Sequence, residues 1–284
     1  MRQTAGMDEL SGRVAVVTGA ASGIGLAMAN AFAAEGMRLV LADVDVEGLE
    51  VACKNLNKTG EGAIAVPTDV RDPAAVDALR NAALHAFGAV HVVCNNAGVG
   101  VGGPIWQVPL ESWQWIFGVN FWGVVHGMRS FVPLLLEQGE GHVVNTASAA
   151  GLMPSPFLGP YSATKFAVVA VSETLAMELT GSGVGVSVVC PLFVRTRIHE
   201  SDRNAPPEVV AVAGDDGDSL AGGREMLAGF VNSGIAPEVV ADRVVEAVKG
   251  GSFWVFPHDE IRQIVRERGE SIAAGTPPAF TILA

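Results

Sequence analysis

The chain has 284 residues, 49% of them hydrophobic and only 17% charged, with a mean hydropathy of +0.36. It is too apolar for a disordered chain and long enough to bury a large core. Eighteen Lys and Arg against thirty Asp and Glu give a formal charge of −12. Such a surface repels phosphate backbones and anionic lipid, so neither nucleic acid nor a membrane is an expected partner.

The first ten residues, MRQTAGMDEL, hold no apolar run of the kind that heads a secretory signal. Beyond them, short β-branched runs alternate with helix-like stretches. Strands are expected at Val14–Thr18, Arg38–Asp43, Ala63–Pro67, Val90–Asn95, His142–Thr146, Gly185–Cys190 and Phe253–Phe256. Helices are expected near Gly23–Glu35, Val46–Lys58, Pro73–Phe87, Leu110–Pro133, Tyr161–Leu179 and Pro237–Lys249. The strands are continuously apolar, as in a sheet covered on both faces. Repeated strand–helix units with right-handed crossovers then predict an α/β, doubly wound parallel sheet of about seven strands.

No break in composition divides the pattern, so one domain is expected across residues 1–284. Val184–Val194 is the best apolar stretch, yet Pro191 interrupts it and it falls short of the roughly 20 residues of a membrane span. Residues 199–224, rich in glycine and carboxylates, break the rhythm and read as a lid over a substrate, a mobile surface loop, or both. Residues 270–284 form a small, apolar tail. Cys53, Cys94 and Cys190 make no C-x-x-C pair and are odd in number, which points to a reduced, cytoplasmic setting. No histidine spacing suits a catalytic zinc, and no metal is expected.

The first strand runs into Thr18-Gly19-Ala20-Ala21-Ser22-Gly23-Ile24-Gly25. Glycines at such a turn let the backbone approach a pyrophosphate, and the following helix offers free amides and a positive dipole. Asp43 stands eighteen residues past Gly25, at the end of the second strand, where a carboxylate bonds a ribose 2′-hydroxyl. A carboxylate there repels a 2′-phosphate, and residues 18–25 contain no Lys or Arg, so NAD is favoured over NADP. Gly98–Gly103 also spells G-x-G-x-x-G, but Pro104 follows it and no βαβ unit does.

Tyr161 is the single tyrosine, and Lys165 lies four residues on. On a helix the two share a face. An ammonium beside a phenol favours the phenolate, and moving a tyrosine from about 10 to about 7 asks for about 4 kcal/mol. The plain alternative is an amphipathic tyrosine beside a snorkelling lysine.

Thr18-Gly19-x-x-x-Gly23-x-Gly25, Asn95-Asn96-Ala97-Gly98, Asn120, Ser148 and Tyr161-x-x-x-Lys165 occur in the order and separation of the short-chain dehydrogenase/reductase family. The resemblance covers residues 10–260 and implies a Rossmann-like fold with helices on both faces. It makes Tyr161 the general acid/base and Lys165 the residue that lowers its pKa and holds the ribose. Ser148 is similar to the residue that polarises the substrate oxygen. Asn120 resembles the asparagine that holds a relay water. The resemblance also makes Asp69 and Val70 an adenine contact, and puts Asn95, Ala97 and Gly98 beside the adenosine ribose. Pro191, Val194 and Thr196 match carboxamide-binding positions, although Leu192 replaces the family's usual glycine.

Thr18, Asp43, Asp69, Asn95, Ser148 and Pro191 all fall at the carboxyl ends of expected strands, where ligands gather in open α/β sheets. Around them, Leu152, Phe157, Leu192 and Phe193, with Ser148, would form an apolar pocket for a nonpolar or aromatic secondary alcohol or ketone. Trp113, Trp115, Phe121 and Trp122 suit either core packing or the subunit interface that the resemblance implies, in a homotetramer or dimer. Two other functions stay open: a dinucleotide-binding sensor without turnover, and a relative that performs epimerisation or dehalogenation. The intact Ser148–Tyr161–Lys165 set weighs against the sensor, which needs no acid/base.

Overall fold

The computed structural model describes residues 4–58, 62–209 and 228–278. Seven parallel strands form one sheet: β1 (Val14–Thr18), β2 (Arg38–Asp43), β3 (Ala63–Pro67), β4 (Val92–Asn95), β5 (Gly141–Thr146), β6 (Val184–Val189) and β7 (Trp254–Val255). Their spatial order is β3-β2-β1-β4-β5-β6-β7. The chain starts in the middle, winds outward to β3, then crosses back to β4, and the switch between β1 and β4 opens a crevice at the carboxyl ends.

Successive strand residues point to opposite faces. Ala15 and Val17 of β1 and Leu39 and Leu41 of β2 join one core with Met28, Phe32 and Val244. Val14, Val16, Val40 and Ala42 join the other with Leu79, Phe131 and Val168. The first core lies under α1 (Gly23–Ala34), α2 (Val46–Leu56) and α7 (Pro237–Gly250), the second under α3 (Pro73–Phe87), α5 (Gly123–Gln138) and α6 (Gly159–Glu178). Both faces are covered, which explains the unbroken apolar strands and confirms the Rossmann-like, doubly wound architecture.

The single helix expected over Leu110–Pro133 is three pieces. Helix α4 (Leu110–Phe117) passes into a π-helical segment at Gly118–Trp122, then into α5. Gly123 and Gly127 explain the approach to the sheet: a Cβ on them would lie 2.8 Å from Val70 Cγ2 and 1.9 Å from Asn95 Oδ1. Pro133 does not end α5. It removes one hydrogen bond, while Val132 and Leu135 beside it are buried, and the helix stops at Gly139 in the left-handed conformation (φ 73°).

A further helix, α8 (Glu260–Ala273), lies beyond β7, so the segment expected as a tail from residue 270 begins inside a helix. Only Ile261 and Ile264 of α8 are buried, a narrow apolar stripe on an otherwise polar helix. At the expected lid, residues 198–204 form 3₁₀ turns and residues 207–209 are helical, while 210–224 lie outside the described residues, as do 279–284. Among the described residues no helix is long and apolar enough to cross a membrane.

Candidate active site

At the crevice the chain forms a cavity of about 320 Å³. Its floor is the glycine turn. Gly19 and Gly23 take left-handed φ values of 69° and 56°, which glycine adopts without cost. Gly25 answers to packing: a Cβ there would lie 2.0 Å from the Gly19 carbonyl oxygen. Ser22 precedes α1 without capping it through its side chain, so the first amides of a 12-residue helix remain open beside Ser22, Gly23 and Ile24 of the cavity wall. This is a cradle for an anion, closed from the far side by Thr196, whose Cγ2 would touch a Cβ on Gly23 at 3.1 Å.

Thr18 does not line the cavity. Its hydroxyl accepts from the amides of Asn96 (2.9 Å) and Ala97 (3.1 Å) and donates to the Cys94 carbonyl (3.2 Å), fastening the loop after β4. Asn96 completes the clamp by donating to the Thr18 carbonyl at 3.0 Å and accepting from the Thr146 hydroxyl at 3.1 Å. Asn96 faces the cavity, with Ala97 and Gly98. Its neighbour Asn95 turns under the sheet and donates to Asn145 Oδ1 at 2.9 Å, so it supports the β4–β5 pairing and is not a cavity wall.

Asp43 and Val44 edge the cavity. The Asp43 carboxylate accepts the Ala21 amide and the Asp45 amide, each at 3.0 Å, and so ties β2 to the glycine turn. Asp69 and Val70 also line the cavity, with Arg71, whose Nη2 donates to Asp69 at 2.7 Å. Burial pushes the Asp69 carboxyl up, but the hydrogen bonds and charge of Arg71 outweigh it and hold the group below the usual carboxylate range. The sequence reading missed Arg71, two residues past the acid that it pairs.

Tyr161 and Lys165 line the opposite end, with Pro191. The Ser148 hydroxyl donates to the Pro191 carbonyl at 3.4 Å and accepts the Ala150 amide at 3.1 Å. Burial pushes the Tyr161 phenol above its ordinary value near 10, and the neighbouring Ser148 opposes that shift. Lys165, 3% exposed, donates to the Thr146 carbonyl at 2.8 Å, and its Nζ lies 5.7 Å from the Tyr161 ring centroid. Burial draws its ammonium down to about 8. One helix face thus brings acid and cation together, but burial rather than the lysine decides where the phenol rests before a cofactor binds.

Asn120 is wholly buried in the π segment, where its Oδ1 accepts the Val99 amide at 2.8 Å and its Nδ2 donates to the Val99 carbonyl at 3.0 Å. It also donates to the Thr164 hydroxyl at 3.3 Å, one residue from Lys165. Its side chain braces the loop beside the cavity without lining it.

Leu152, Phe157, Leu192 and Phe193, expected to form an apolar substrate pocket with Ser148, lie away from this cavity. Leu152 packs on the second core, Phe157 is 62% exposed, and Phe193 stacks on Phe230 at 4.9 Å. Val194 is buried in a bridge to Ile235, whereas Thr196 reaches the cavity. The apolar wall of the cavity is Val99, Trp115 and Val119.

The cavity therefore offers open helix amides for a pyrophosphate, two carboxylates for hydroxyls or an amino group, and the Tyr161–Lys165 pair for a reacting oxygen, with Ser148 buried behind its wall. These residues fit a nicotinamide dinucleotide. The short chain dehydrogenase family model matches residues 13–207. A 1-deoxy-11-beta-hydroxypentalenate dehydrogenase of Streptomyces exfoliatus is 38% identical over 93% of this chain and 89% of its own. A C alpha-dehydrogenase of Sphingobium sp. is 32% identical over 96% and 89%. The crystal structure of a short chain dehydrogenase/reductase from Burkholderia phymatum in complex with NAD covers 98% of this chain and 100% of its own, at 42% identity and a TM-score of 0.93. This chain is a member of the short-chain dehydrogenase/reductase family of oxidoreductases.

Proposed function

We propose that the protein transfers hydride between NAD and a secondary alcohol or ketone bearing an apolar substituent. The observation that carries this reading is the buried Lys165 ammonium 5.7 Å from the Tyr161 ring centroid, at the end of a cavity whose floor is an uncapped helix N-terminus. When bound, the nicotinamide supplies the hydride donor or acceptor. The chain does the rest.

Ser148 and Tyr161 hold the substrate oxygen between two hydroxyls. Tyr161 takes its proton in oxidation and returns it in reduction. Lys165 stabilises the phenolate and passes the proton toward the loop that Asn120 braces. The positive charge of an oxidised nicotinamide adds to that of Lys165, and together they offset the burial that holds the phenol protonated. Asp43 favours NAD, because its charge opposes a 2′-phosphate. Val99, Trp115 and Val119 favour hydrocarbon over charge.

The deciding measurement pairs NADH binding, followed by fluorescence, with oxidation of secondary alcohols followed at 340 nm. Tyr161→Phe should keep NADH affinity and lose about 10²-fold or more in kcat. Residual turnover within tenfold of wild type would remove the phenol from the mechanism. NADH binding by a wild type without turnover would support the sensor.

A further inference from the structure

Trp115 parts company with the aromatic series around it. Trp113, Phe117, Phe121 and Trp122 follow one another along α4 and the π segment, with neighbouring ring centroids 6.1, 6.3 and 5.5 Å apart, and Trp122 is half exposed. Trp115 is 4% exposed and faces the cavity. It belongs to a small buried cluster with Val99, Ile116 and Val209, separate from the two cores that sandwich the sheet. Tyr161 and Ala205 pack against that cluster. The wall beside the phenol is thus drawn from three distant stretches: the loop after β4, helix α4, and the segment after β6.

The last of these is tied in place. Ser201 Oγ accepts the Gly100 amide at 2.8 Å and donates to the Ile198 carbonyl at 2.6 Å, joining the post-β6 turn to the post-β4 loop. Arg203 donates to the Arg197 carbonyl at 2.9 Å within the same turn. Glu208 acts electrostatically on Arg71 of the cavity rim. Val209 is buried in the same cluster as Trp115 and backs the wall without lining the cavity itself.

We propose that Trp115 and Val209 together limit the size of the apolar group carried by the reacting carbon, an inference that rests on the dehydrogenase reading above. The carbon must approach Tyr161, and the phenol's hydrophobic neighbours are this cluster. A substituent larger than the space beside Trp115 meets a close-packed wall, which yields little. Changes of a few methylenes in such a wall shift discrimination by about 10- to 200-fold.

The test compares kcat/KM for 2-butanol and 1-(2-naphthyl)ethanol with NAD, in wild type, Trp115→Ala, Trp115→Phe and Val209→Phe. Removing the indole should raise the naphthyl-to-butyl ratio about tenfold or more, and Val209→Phe should lower it about tenfold. NADH affinity should stay within about threefold in each variant, which shows that the fold and cofactor site persist. Trp115→Phe, the gentler change, answers the question should the alanine variant fail to fold. An unmoved ratio in an active, NADH-binding variant overturns the size limit alone, as does a fall in the ratio on removing the indole. A wild type that oxidises neither alcohol overturns this inference and the dehydrogenase reading together.

Discussion

The Lys165 ammonium donates to the carbonyl oxygen of Thr146 at 2.8 Å, so the last residue of β5 fixes the cation that lies over the Tyr161 ring. Burial draws that lysine down to about 8, against an unfolded value near 10.5. Below about 8 both states are protonated and the folded chain bears the whole cost of a buried charge. Between about 8 and 10.5 the unfolded chain holds more protons, so this contribution to stability improves as pH rises. Lys165→Met should therefore be more stable than wild type at pH 7 by about 2 kcal/mol, after the lost bond to Thr146, and should lose that advantage above pH 8. Urea unfolding from pH 7 to 10 measures it. The same variant should lose about 10²-fold or more in kcat.

Because Tyr161 is the only tyrosine, absorbance of tyrosinate at 295 nm reports one residue. In the cofactor-free protein burial holds the phenol protonated above its usual range. A titration should find it ionising above about pH 10 alone and at least one unit lower with saturating NAD. An unchanged midpoint would show that the nicotinamide charge does not act on this group.

Asp43 has two tasks, holding the amides of Ala21 and Asp45 and presenting charge to the cavity edge. Asp43→Ala loosens the turn and removes the repulsion of a 2′-phosphate. Its kcat/KM with NAD should fall about tenfold or more, while the NAD-to-NADP preference shrinks by a larger factor. Wild type preferring NADP would reverse the assignment.

Far from the cavity, at the other end of β5, His142 is wholly buried, with Nε2 hydrogen-bonded to the Ser187 hydroxyl at 2.8 Å. Burial draws its imidazole down to about 4. From pH 6.5 to 4 the unfolded chain takes up the proton and the folded chain refuses it, so stability falls with pH by roughly 3 kcal/mol from this group. His91, also lowered chiefly by burial, acts in the same direction. His142→Asn cannot titrate, and its urea midpoint should vary less across that window than that of wild type.

Much of this organisation is legible in the amino-acid sequence because it is local. The glycine turn, Asp43 at a strand end and the Tyr161–Lys165 spacing each depend on a few neighbouring residues. What the sequence conceals is orientation. Asn95 and Asn96 are adjacent at the end of β4 and face opposite ways, so a motif that contains both does not say which one meets the ligand. Trp113 and Trp115 lie two residues apart on the same short helix, and their spacing does not say which of them meets the cavity. Arg71 needed the third dimension to join the cavity. The apolar wall of the cavity comes from Val99, Trp115 and Val119, which chain proximity to Ser148 and Pro191 does not reveal.

The wide turn at Gly118–Trp122 constrains how this chain can vary in length. A π segment behaves as a helix carrying one surplus residue. Deleting one residue there would let α4 and α5 merge into an ordinary helix, easier to form in isolation, and would swing the position of Asn120 by about 100° away from the Val99 backbone. Single-residue deletions should thus be tolerated in the surface loop before α4 and rejected within these five residues, even though the rejected products would have the more regular secondary structure.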